Sequence, residues 1–94
     1  MYLYNISIIV DNDRHEILIK WVKDNWLNTL PAQAKFLKLL DSPHEGHTYC
    51  VQLIFENPSE IPTFQQEKLV ILRSHIATNH LEKAFLFDST MKYI

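Results

Sequence analysis

HTYCVQLIFE, residues His47 to Glu56, places Tyr49, Val51, Leu53 and Phe55 on one parity and Thr48, Cys50, Gln52 and Ile54 on the other. A period of two marks a strand with unlike faces, because successive Cβ atoms point to opposite sides of a sheet. What precedes this stretch makes it decisive. Asp41-Ser42-Pro43-His44-Glu45-Gly46 carries turn chemistry and ends on the chain's only glycine. Before it, Lys35 to Leu40 is short and rich in apolar residues, so the two runs read as strand, turn, strand.

Working outward, residues 2–10 repeat the pattern, with Tyr2, Tyr4, Ile6, Ile8 and Val10 on a greasy face and Leu3, Asn5, Ser7 and Ile9 on a mixed one. Asp11-Asn12-Asp13 breaks this strand, and Asp13 with Glu16 three residues on has the spacing of a capping box. Ile17, Leu18, Trp21, Val22 and Trp26 then recur at helical spacing up to Pro31. Beyond His47–Glu56, Asn57-Pro58-Ser59 closes the strand, and Thr63 with Gln66 offers a second capping box. Phe64, Leu69, Leu72 and Ile76 form the stripe of a second helix, and Ala84 to Tyr93 alternates as a last strand. The order βαββαβ predicts an α+β sandwich, a four-stranded antiparallel sheet with both helices on one face and the first and third strands central. No linker or repeat interrupts residues 1–94, which read as a single domain.

Composition narrows the function classes. Nine Lys+Arg against eleven Asp+Glu give a net charge of -2, no basic field for phosphates, and an expectation of no nucleic-acid partner. The third strand also lacks the basic residues and glycine that RNA-recognition strands of this topology use. Cys50 is the only cysteine, which excludes an intramolecular disulfide and a multi-thiolate zinc site. No apolar run is long enough to span a bilayer, and Met1 to Asn5 lacks the character of a signal peptide, so the expectation is a cytoplasmic protein without a membrane partner. One glycine cannot supply a P-loop, GxGxxG or GxSxG. His44-Glu45-Gly46-His47 supplies too few fixed ligands for a metal, and no cofactor is expected.

Helices covering one face of a sheet leave the other to water, a ligand or a second subunit. On that face, the central strands place small polar groups among aliphatics, the combination that orients and encloses a small molecule. The candidate ligand-binding residues are Asn5, Ser7, Tyr49 and Gln52, with His75 added from the edge of the second helix's stripe. No nucleophile, acid and base fall together, so catalytic residues are not assigned.

Met1-Tyr2-Leu3-Tyr4-Asn5-Ile6 and Thr48-Tyr49-Cys50-Val51-Gln52 resemble an uncharacterised family of small bacterial domains of unknown function. Its members begin with a similar Tyr-Asn strand and carry a Thr-Tyr-x-Val-Gln strand. The likeness runs through the chain in element order but lacks the glycine usual between the second helix and last strand, around Leu81 to Ala84. The resemblance implies a ferredoxin-like fold and a dimer in which sheets face each other, as in dimeric α/β-barrel proteins. It implies no known activity. The expectation is therefore a non-enzymatic homodimeric domain for ligand binding or interaction. The alternative is a cofactor-independent small-molecule enzyme of the dimeric α/β-barrel type.

Overall fold

A computed structural model describes residues 1–94. Strand β1 (Tyr2–Val10) leads into helix α1, which runs through His15–Trp21 and Val22–Trp26 to a closing turn at Leu27–Thr29. Strands β2 (Lys35–Leu39) and β3 (His47–Phe55) follow. Helix α2 comprises Glu60–Phe64, Gln65–Leu69 and Val70–Asn79, and β4 (Ala84–Lys92) completes the order βαββαβ. The sheet is antiparallel throughout, in the order β2-β3-β1-β4, so β1 and β3 are central as their patterning requires.

One face of the sheet and the two helical stripes close on a common core. Tyr4, Ile6, Ile8 and Val10 from β1 meet Val51 and Leu53 from β3, with Leu18, Val22 and Trp26 above them from α1 and Phe64, Leu69, Leu72 and Ile76 from α2. Burying such side chains is worth about 1.5–3 kcal/mol each, which is the term that holds the helices on this face. Ile17 departs from the expected stripe and is exposed, because Leu18 and Ile19 turn inward instead.

Both expected capping boxes fail, for local reasons. α1 starts at His15 with no side-chain cap; the Asp13 carboxylate lies 3.4 Å from the Lys83 ammonium, clamping the start of α1 to the turn before β4. α2 starts at Glu60, earlier than Thr63 implied, and the Glu60 carboxylate accepts the backbone N–H of Asn57 at 3.1 Å. Thr63 and Gln66 thus lie inside the helix, where the first free amides have already passed.

Gly46 sits at φ +83°, and a Cβ there would fall 2.3 Å from the Val10 carbonyl oxygen. The single glycine is placed where the β2–β3 connection crosses the end of β1 and no side chain fits.

Candidate functional site

The open sheet face is built by the odd residues of β1 and their partners across the ladders. Asn5 pairs with Gln52 on one side and Ser89 on the other, and Ser7 pairs with Cys50 and Phe87. The polar groups bind one another: Gln52 Nε2 donates to Asn5 Oδ1 at 3.2 Å, and Asn5 Nδ2 donates to Ser7 Oγ at 3.1 Å. Around this polar row lie Leu37, Leu39, Ile54, Phe85, Phe87 and Met91, all exposed. By strand parity Lys35 is the only charged side chain on the face. Phe85, Phe87 and Met91 stand here because the core side of β4 is taken by Ala84, Leu86 and Asp88.

Asn5, Ser7 and Gln52 are therefore neighbours, whereas Tyr49 and His75 lie on the helix-covered side of the sheet. Tyr49 shares the parity of Val51 and Leu53, so its ring projects toward α1 and cannot join the polar row. Its hydroxyl is hydrogen-bonded to His15 Nε2. His15 in turn stacks on His47 with ring centroids 3.7 Å apart, and Phe36 stacks on Tyr49 at 5.4 Å. Burial, then the neighbouring His47 and Lys38, holds the His15 imidazole below its ordinary value, and burial raises the Tyr49 phenol. His47 is thus a packed, half-buried ring.

His75 lies flat against Trp21, with centroids 3.6 Å apart and planes within 7°. Asn79 Nδ2 donates to its Nδ1 at 3.2 Å, which fixes that nitrogen as an acceptor. Burial, then His80, lowers its pKa. His80 itself is 2% exposed, and neither ring nitrogen has a hydrogen-bond partner. Its position four residues after Ile76 continues the buried stripe of α2, a signal readable from the helical period.

A further cluster lies along the free edge of β4. The Tyr4 hydroxyl donates to Asp88, and Gln65 Nε2 reaches both Asp88 Oδ2 and the Tyr4 oxygen at 3.3 Å. Burial, then the bond to Asp88, pushes the Tyr4 phenol up to about 12. Arg73 stands 4.0 Å from Asp88 Oδ1. Asp88 shares the core-side parity of Ala84 and Leu86, and a carboxylate at such a position is the sequence signal for this cluster.

The family model described as "Domain of unknown function (DUF4286)" matches residues 1–94. No curated protein matches the sequence. Among solved structures, a dimeric ferredoxin-like protein from an uncultured marine organism superposes with a TM-score of 0.61 at 8% identity, covering 99% of this chain and 94% of that one. The de novo designed protein Foldit4 superposes with a TM-score of 0.59 at 12% identity, covering 99% and 98%. At such identities these likenesses establish the ferredoxin-like fold expected from the sequence.

Proposed function

The chain belongs to the DUF4286 family, and on that premise we propose that it works as a homodimeric interaction domain whose open sheet face is covered by the same face of a second copy. The observation carrying this reading is an apolar face nearly free of charge. Leu37, Leu39, Ile54, Phe85, Phe87 and Met91 are exposed together around a polar row, with Lys35 as the one charge. Contiguous exposed apolar surface of this kind marks interaction sites, and depletion of charge distinguishes the centre of an interface from ordinary surface.

The layout is self-complementary. Lys35, Gln52, Asn5 and Ser89 form a row across all four strands. One apolar lobe, with Phe85, Phe87, Leu37 and Leu39, lies to one side of it, and a second, with Leu3, Ile54 and Met91, lies to the other. A two-fold axis parallel to the strands through the middle of the row sets Lys35 against Ser89 and Gln52 against Asn5 across the two copies, and each lobe against its own counterpart, as an isologous interface allows. The structural neighbour described as dimeric supports the same reading.

Light scattering across the micromolar range tests it. The expected result is the mass of two chains for the native protein, and of one chain for Phe87→Glu with an unchanged circular dichroism spectrum. A native protein that stays at the mass of one chain overturns the proposal.

A further inference from the structure

The cleft between α2 and the free edge of β4 is built from two facing rows. On α2, Arg73 is followed one turn later by Ile76 and Ala77, which share its side of the helix. On β4, Asp88 is followed on the same face by Leu86 and Ala84 at two-residue steps. The cleft therefore has opposite charges at one end and an apolar trough at the other. Leu81, Glu82 and Phe85 complete the lining of the trough, whose volume is about 320 Å³. Arg73 also lines the adjoining polar hollow with Gln65 and Asp88.

The charged end is not closed on itself. At 4.0 Å, Arg73 and Asp88 are beyond hydrogen-bond distance, so the guanidinium keeps donors free and Asp88 Oδ1 keeps its acceptor capacity. The other carboxylate oxygen is held by Tyr4 and Gln65, which fix the group in place. An Arg fork takes a carboxylate in two parallel bonds, and a carboxylate takes an ammonium group. A group with both charges one carbon apart, attached to an apolar chain of a few carbons, matches all three features.

From this geometry we infer that the α2–β4 cleft binds a free α-amino acid with an aliphatic side chain. Its carboxylate lies on Arg73, its ammonium on Asp88 Oδ1, and its side chain lies in the trough of Ile76, Ala77, Leu81, Ala84 and Leu86. The site is on the helix side and edge of the sheet, and of its lining only Phe85 also belongs to the proposed dimer face. The monomeric Phe87→Glu variant should bind as the native protein does.

The test is titration of the ¹⁵N-labelled protein with L-leucine, followed by amide shifts. Saturable shifts at residues 73–77 and 84–88 are expected. Two probes each lack one charge: 4-methylpentanoate lacks the ammonium and 3-methylbutylamine lacks the carboxylate. Each should bind about tenfold or more weakly, as should the protein with Arg73→Gln, which alters a half-exposed side chain. Ala77→Trp, which fills the trough, should abolish the shifts while leaving the spectrum of a folded protein. Asp88→Asn should weaken leucine binding likewise, and if it unfolds the chain the Arg73 and Ala77 variants decide the matter. The inference is overturned by the absence of saturable shifts with leucine, by equal binding of either single-charge probe, or by unchanged binding to Arg73→Gln.

Discussion

The indole N–H of Trp26 donates to the backbone carbonyl of Lys68 at 2.8 Å, joining the end of α1 to the middle of α2. Trp26 is fully buried, so one side chain supplies both apolar contact and a satisfied polar group between helices. Trp26→Phe should lower unfolding stability by about 1–3 kcal/mol by stranding the Lys68 carbonyl and leaving a small void. Trp26→Ala should cost about 3–5 kcal/mol. Urea unfolding of the two variants checks the order; equal losses would mean that the ring's packing contributes nothing beyond the hydrogen bond.

Gly46→Ala should destabilise the fold by roughly 2 kcal/mol or more, since it combines a left-handed backbone with a collision against β1. Asp41, which also has positive φ at 57°, provides the contrast. Asp41→Gly should be neutral or slightly stabilising, because no conformational strain is added. Thermal denaturation separates the two, and a neutral Gly46→Ala would show that the turn can move away from Val10.

Acid should weaken the protein through its buried imidazoles. Burial, reinforced by Arg14, holds His80 below the ordinary value of 6.5, and His75 and His15 are lowered likewise. Below 6.5 the unfolded chain therefore binds more protons than the folded one, so stability falls as pH drops until the folded-state pKa values are passed. His80→Leu should reduce this slope, and at neutral pH should raise stability by about 1 kcal/mol by removing two unpaired buried nitrogens. A denaturant series at several pH values measures both effects; an unchanged acid slope in His80→Leu would refute the assignment to this residue.

Alkali should act through Tyr4. Its phenol is raised from 10.0 to about 12 in the folded protein, so the folded state keeps a proton that the unfolded state loses. Stability is fully present below pH 10 and is lost as pH rises toward 12. Absorbance at the phenolate band should show a last step near pH 12 from Tyr4, with Tyr49 also raised by its burial. Tyr4→Phe should remove that late step and cost about 1–2 kcal/mol through the lost bond to Asp88. A Tyr4→Phe protein that retains the late step would place it on another tyrosine.

How legible the molecule was depended on whether a property is periodic along the chain. The alternation in Tyr2–Val10 and His47–Phe55 and the stripe Phe64, Leu69, Leu72, Ile76 were sufficient for the element order and the central strands, because strand and helix periods determine which side chains can share a core. Helix starts were less legible. Asp13 pairs with Lys83 instead of capping α1, and α2 begins at Glu60, ahead of the anticipated Thr63–Gln66 box, with the Glu60 carboxylate on the Asn57 backbone.

Tertiary structure alone decided which functional groups meet. Asn5, Ser7 and Gln52 share the open face because the β1–β3 register pairs them, while the same parity sends Tyr49 to His15 and the helix side. The pairing of Tyr4 with Asp88, 84 residues apart, and the buried, unpartnered state of His80 arise from packing between distant elements. A sequence states the face on which each side chain stands. Which of these ferredoxin-like faces confront one another, and at what distance, follows only once the sheet has chosen its register and the helices have closed on it.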